Sequence, residues 1–540
     1  MTSGTRQLQY RQLRAPREDR TAVIIPGPDQ VAGVAAANQA QRSRYVYDFQ
    51  GRSIGELTRQ ARQELAALAR HWTSSYRDAD SGPLSASATI FLAGHQPQLF
   101  HPGVWFKNFA LDRLARQHAA VAINLVVDND TLKTNALLVP GGSTTEPNLA
   151  AIPLDRSDSP LPFEERRIED RGLLRSFGRR VAGRIAPLVP DPLVRQYWPM
   201  VVQRMCKTDN LGACLAQARH QLEGQWGAAT WEVPVSWLCQ TESFAWFIAH
   251  VLAHLPRFRE IYNGALHEYR QLNRVRSTAH PAPDLAVEGD WIEAPFWIWS
   301  DEDPWRRRLF ARRRADAIEI ADRHGQAVEL PMRPDGDATR AVGRLMELSN
   351  RGVKIRSRAM ITTLWARLVL GDLFLHGIGG AKYDQVTDAI MSRFFGLQPP
   401  GFLVVSATLL LPAPHRKTTL EDLHVVDREL RELTFHPELY AEGNGQAHAL
   451  SAEKQRWIRT EPNAENFRQR FLEIRRINAA LQPFVAADRA RLLDERQRVQ
   501  QALHAEGILS SREYAFCLHS EESLREAFAL LLPSRHGRSA

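Results

Sequence analysis

Ala88-Thr89-Ile90-Phe91-Leu92-Ala93-Gly94-His95-Gln96-Pro97-Gln98-Leu99-Phe100-His101-Pro102-Gly103 is the stretch on which the fold turns. Residues 88–93 form an apolar run closed by glycine, the pattern of a strand buried on both faces. Two prolines and two glycines between 94 and 103 require the chain to turn there. Residues 104–118 then carry helical spacing, and 121–127 (VAINLVV) form a second buried strand ending in Asp128-Asn129-Asp130. Strand, loop, helix, strand at this spacing is a βαβ unit, which implies a parallel sheet and a right-handed crossover.

A second α/β stretch lies far along the chain. It comprises a helix at 358–370, a short strand at 372–375, the turn His376-Gly377-Ile378-Gly379-Gly380, a helix at 382–395 and a buried strand at 402–410. The simplest assembly is one doubly wound parallel sheet built from 85–140 and 350–412. The remaining pattern divides the chain as follows. Residues 1–84 are an N-terminal extension, polar and irregular over 1–50, with a helix at 54–72 and a turn-rich break at 78–87. The first half of the core is 85–145. A mainly helical insertion occupies 146–349, with a Gly/Pro-rich linker at 140–160 and a small antiparallel β element at 291–299 and 317–330. The second core half is 350–414. A C-terminal helical arm, 415–540, carries at 451–506 the spacing of a helical hairpin or short coiled coil.

Composition excludes several classes. The chain has 540 residues, 44% of them hydrophobic and 24% charged, so it is globular and long enough for several units. No stretch reaches the ~18 uninterrupted apolar residues of a membrane span. The N-terminus lacks the apolar segment of a secretory signal, so the expected location is cytoplasmic. The four cysteines, Cys206, Cys214, Cys239 and Cys517, form no Cys-x-x-Cys pair, which argues against a zinc site or disulfide framework. A net charge of +8 is spread along the chain without interleaved aromatics, so no nucleic-acid partner is expected. Only seven of the 69 basic residues are lysine, which singles out Lys107, Lys133 and Lys382 in the segments of interest.

Ligands of a doubly wound sheet bind beyond the carboxyl ends of its strands. Gly94, His95, Gln96, His101, Gly103 and Lys107 fall there, at a helix N-terminus suited to an anion, with His101 able to titrate near neutral pH. Asp128, Asn129 and Asp130, followed by Lys133, end the neighbouring strand; carboxylates there suit a metal, an amine or a base, or simply an Asx turn. The turn holding His376, Gly379, Gly380, Lys382 and Tyr383 suits phosphate or carboxylate approach, or close helix–sheet packing. It matches neither the dinucleotide fingerprint nor a P-loop. His95, Asp128 and Asp130 are the catalytic candidates, the others are substrate or anion binders, and no metal ligand set is expected. The absence of G-x-S-x-G argues against an α/β-hydrolase, and that of H-E-x-x-H against a zincin.

The stretch 93–107 resembles the T-G-Q-Q-x-G-L-F-x-G-P-x-Y-x-x-Y-K segment of the cysteine-adding enzymes of bacillithiol biosynthesis, the BshC family. Gly94, Gln96, the pair Leu99-Phe100 and Lys107 match in order. Asp128-Asn129-Asp130 stands where that family has E-D-H-D, residues 355–396 are similar to its later signature, and 451–506 to its coiled coil. The resemblance implies a Rossmann-like core split by an insertion, a coiled-coil homodimer, and a ligase or transferase joining cysteine or another amine, through an amide, to a sugar-type acceptor. It leaves open whether a nucleotide is used. The sequence departs from the family at His95, at Gly103, in the missing histidine of the acidic motif, and after Gly380. Residues 90–140 are also similar to WbqC-like proteins of surface-polysaccharide biosynthesis. The reduced acidic motif keeps a second expectation in play, a non-catalytic binding or assembly protein on the same fold.

Overall fold

The computed structural model describes residue 8 and residues 13–78, 85, 87–132, 134–156, 159–325, 327–441 and 445–532. Thr21–Ile25 forms β1, followed by helices Val31–Arg42 (α1) and Ile54–Ser74 (α2). The βαβ unit is Ile90–His95 (β2), Pro102–Gln117 (α3) and Val121–Val126 (β3). Ala136–Gly142 (β4) and Pro147–Pro153 (β5) pair as a hairpin. Arg171–Ile185 (α4), Val194–Met205 (α5) and Leu211–Gln225 (α6) lead to Trp231–Pro234 (β6), then Val235–Leu238 (α7), Glu242–Ala253 (α8) and Leu255–Leu272 (α9). Val287–Glu288 (β7), Trp291–Ser300 (β8), Arg307–Arg313 (β9), Ile318–Ala321 (β10) and Val328–Leu330 (β11) precede Thr339–Asn350 (α10) and Val353–Ser357 (β12). Ala359–Trp365 (α11) runs through a π turn, Ala366–Leu370, into Leu373–His376 (β13), Ile378–Phe394 (α12) and Leu403–Thr408 (β14). Leu420–Phe435 (α13), Gly445–Arg459 (α14), Phe467–Leu481 (α15), Ala486–Leu509 (α16) and Glu521–Leu531 (α17) complete the chain.

The protein is α/β, with a mostly parallel central sheet. Its order is β1-β14-β13-β2-β3-β6, antiparallel only at β1. Leu373 pairs with Phe91 and Leu375 with Ala93, so the two distant stretches lie side by side with their turns at the same end. Side chains alternate between the faces. Ile90, Leu92, Ile123, Leu125 and Val233 join one core with α2, α8, α9 and α12. Phe91, Ala93, Leu375, Leu403 and Val405 join the other with α3 to α6. A second, antiparallel sheet, β11-β10-β9-β8-β12, packs on the first core through Phe296, Leu309 and Ile320.

The sequence reading requires five corrections. β1 lies in the region expected to be irregular, and α1 follows it. The expected linker is the hairpin β4–β5, whose prolines and glycines sit at strand ends. β6, inside the expected insertion, is an edge strand of the central sheet; four residues are too few to carry a period. β12 belongs to the second sheet rather than to the core half that contains it in sequence. The arm ends with α16, because Phe516 and Phe528 pack on Trp105 at ring-centroid distances of 4.4 and 5.7 Å. Within the arm, α13 packs on α16 through Val426, Leu433, Val485 and Leu492. Among the described residues no helix is long and apolar enough to cross a membrane.

Candidate functional site

The connection from β2 runs to β3, whereas that from β13 runs to β14 on the other side. Strand order therefore reverses between β2 and β13, and the crevice beyond their carboxyl ends is the expected ligand position. Gly94, His95, Gln96, Asp128 and Asp130 keep partial solvent access there.

Asp128 is the group among these whose shift brings it to neutrality. Burial pushes its carboxyl up to about 7, the Glu164 carboxylate adds to the shift, and the backbone N–H and hydroxyl of Ser236 oppose it by donating to its two oxygens. Glu164 is itself gripped by Arg356, whose Nε and Nη2 donate at 2.9 and 2.8 Å. Half-protonated near neutrality, Asp128 can take or return a proton under ordinary conditions.

Asp130 differs. Despite burial, Gln96 and Arg306 hold it below the usual carboxylate range. Gln96 Nε2 donates at 3.0 Å and Arg306 Nη1 at 2.9 Å. Arg306 stacks on Trp297 at 4.4 Å, and Arg358 stacks on the same indole at 4.2 Å. Asp130 is a tether between the turns after β2 and β3 and the second sheet, rather than a base.

Burial, with the Lys107 charge adding to it, pushes His95 down to about 3, so its ring is neutral. The ring packs edge-on against Phe100 at 5.0 Å, and Nδ1 lies 3.3 Å from the Gln96 carbonyl. A neutral imidazole offers a hydrogen bond to an oxygen but carries no charge.

Several expected binders are structural. Lys107 is buried, its Nζ donating to the Gly94 carbonyl at 2.6 Å, because helical side chains lean back toward the N-terminus. It faces no anion, and burial, reinforced by Arg219, pulls it down to about 8. Burial likewise lowers His101 to about 4, so it does not titrate near neutrality; its Nδ1 caps α3 by accepting from Gly103 N–H at 3.1 Å. Gly103 serves close packing: a Cβ there would fall 2.1 Å from the Ala407 carbonyl oxygen. The α3 N-terminus is therefore closed to a ligand. Asn129 donates to the Ser357 carbonyl at 2.7 Å. His376 is buried between Phe374 and Phe402, with Nε2 2.9 Å from Asp384. Gly380 gives that ring room, since a Cβ would lie 3.0 Å from its Nδ1. Tyr383 sits against His280 and Lys382 is exposed. Gly379 lies in the first turn of α12, which has no side-chain cap, and a Cβ at the N-cap Gly377 would meet nothing within 4 Å. Lys133 lies outside the described residues.

Ser236, Glu164, Arg356 and Arg306 were not legible as site residues. They come from four other segments and carry no motif; the nearest signals were the Glu164-Glu165 pair and the basic runs 306–308 and 354–358. Among the described residues, His220, Glu223 and Glu232 have ligand atoms within 4.8 Å of one another. Arg219 donates to both glutamates at 2.6 Å, which makes the group a buried ion network. In comparisons with known proteins, neither a protein-family model nor a curated protein matches this chain.

Proposed function

We propose that the chain is an enzyme with a Rossmann-like core, a distant counterpart of the bacillithiol cysteine-adding enzymes, joining cysteine or another amine to a sugar-type acceptor. The observation that carries this reading is Asp128, held near 7 at the carboxyl end of β3 beside the point where strand order reverses. Amide formation needs a free amine, and amines arrive protonated at neutral pH. Asp128 takes that proton, and the freed lone pair attacks the carboxyl carbon of a partner activated as an acyl phosphate, so that the C–N bond forms as the C–O bond to phosphate breaks and phosphate leaves. Neutral His95 and the uncapped first turn of α12 bind oxygens of the substrate. Asp130, Gln96 and Arg306 position the two turns. The exposed Phe467, Phe471, Leu472 and Leu493 of the arm support the homodimer that the coiled-coil resemblance implies. The cytoplasm is the location that fits this substrate class.

The structural use of Lys107, Asn129 and His376 favours a second reading, a binding or assembly protein that keeps the fold without the chemistry. A thermal-shift screen with cysteine, glucosamine conjugates and ATP separates the two. Stabilisation by an amine–sugar pair, reduced in Asp128→Asn, supports the enzyme. A response to none of these compounds rejects it.

A further inference from the structure

A cavity of about 680 Å³ lies at the opposite pole, beneath the amino ends of β2 and β13. It opens between α1 and α2, and its charged lining is Arg42, Arg59, Arg62, Arg70 and Asp372. Among the described residues Arg42, Arg59 and Arg62 face one carboxylate, and that carboxylate is already engaged by three donors. Asp372 accepts from Ile90 N–H at 2.7 Å, from Arg42 at 2.9 Å and from Arg62 at 3.0 Å.

The positive charge is built into the helices. Arg59 and Arg62 stand three residues apart, on one face of α2 with Ala66 beside them. The Arg42 side chain is about nine-tenths buried, and its Nε finds no hydrogen-bond partner. Like charge from Arg62 adds to the cost of keeping Arg42 there. Arg59 makes no ion pair among the described residues. Clustered arginines with a buried unpaired N–H lack an anion.

We infer that this cavity binds a small dianion, a phosphate ester or polycarboxylate on a compact aliphatic, hydroxylated body. Ile54, Ala66 and the arginine stems supply aliphatic wall, and Thr58, Gln63 and Ser87 supply hydroxyl and amide groups. Among the described residues no aromatic side chain lines the cavity, so they offer no stacking platform for a nucleobase. The volume suits a ligand of sugar-phosphate or citrate size. The site is separate from Asp128 and stands independently of the function proposed for the carboxyl end.

Calorimetric titration of the full chain with glucose 6-phosphate, citrate and inorganic phosphate tests it, at ionic strength held constant with chloride. Glucose 6-phosphate or citrate should bind, and Arg59→Gln should weaken that binding by about tenfold, the loss of one charge-assisted contact. Arg59 is exposed, so this variant keeps the fold. Asp128→Asn should bind as the native chain does. Preference between the two organic anions assigns phosphate or carboxylate. Binding by none of the three, binding of inorganic phosphate alone, or equal affinity in Arg59→Gln overturns the inference.

Discussion

Gln96 donates its side-chain amide to Asp130 across 3.0 Å, tying the turn after β2 to the turn after β3. Asp130 is thereby committed to geometry, whereas Asp128, two residues away, is left with an adjustable proton. The two carboxylates are predicted to separate cleanly on substitution. Asp128→Asn should lower kcat by at least about a hundredfold, the usual contribution of a general base. Asp130→Asn keeps the size and one acceptor, so it should mainly raise KM. Equal kcat losses in the two variants would remove Asp128 from the base role.

The pH dependence follows from the same group. The Asp128 carboxyl is pushed up to about 7 from an ordinary 3.8 by burial, with Glu164 next. The rate should therefore rise with pH to a plateau above about 7, and the ascending limb should vanish in Asp128→Asn. Stability responds with the opposite sign. Between the two values the folded chain holds a proton that the unfolded chain has released, so this group makes stability fall as pH rises from 3.8 to about 7. Paired urea titrations of the native chain and Asp128→Asn across that window should show the slope only in the former.

Buried histidines act the other way. His95, His250 and His519 are each pushed by burial to about 3 from an ordinary 6.5. Below 6.5 the unfolded chain binds protons that the folded chain refuses, so their contribution to stability is complete above 6.5 and is lost as pH falls toward 3. Acid unfolding monitored by circular dichroism should begin below pH 6.5. In NMR spectra, the His95 ring should show no titration between pH 5 and 8, and a midpoint near 6.5 would remove the burial argument.

The βαβ unit was legible because its strands are long, uninterrupted and bounded by glycine and aspartate. β6 was not: Trp231-Glu232-Val233-Pro234 is short and contains a buried glutamate, which only its contact with Arg219 explains. The hairpin β4–β5 was hidden by the prolines and glycines that form its ends. In the site, His95, Gln96, Asp128 and Asp130 could be found because they follow strands directly. Ser236 and Arg356 come from 108 and 228 residues further along than Asp128, and only packing brings them in. Lysine scarcity singled out Lys107, Lys133 and Lys382; Lys107 is fixed by an internal acceptor rather than by a ligand, and Lys382 is exposed.

Gly103 separates close packing from ligand approach. A Cβ there meets the Ala407 backbone, not open space. Gly103→Ala should push the start of α3 away from β14 and destabilise the fold by about 1–3 kcal/mol, as overpacking does. A shift in the urea midpoint measures it; an unchanged midpoint with lost ligand binding would restore the binding role.

Arg219 carries the largest expected stability effect. Its guanidinium bridges Glu223 and Glu232 at 2.6 Å each, all three groups are buried, and it also lies 5.8 Å from the Phe100 ring that packs on His95. Glu223 is further held by Trp105 Nε1 and Asn108 Nδ2, both at 2.8 Å, so the network joins α3, α6 and β6. Removing the cation leaves two carboxylates out of water with only the more distant Arg77 charge opposing them, because burial keeps the adjacent His220 neutral. Arg219→Met should cost about 3–5 kcal/mol at neutral pH. The variant can recover by protonating Glu232, whose carboxyl burial already pushes up to about 7, so its deficit should shrink as the pH is lowered from 7.5 toward 5. Adding Glu232→Gln should return part of the loss for the same reason. A deficit that ignores both pH and the second substitution would mean that lost packing, rather than unpaired charge, is what Arg219 prevents.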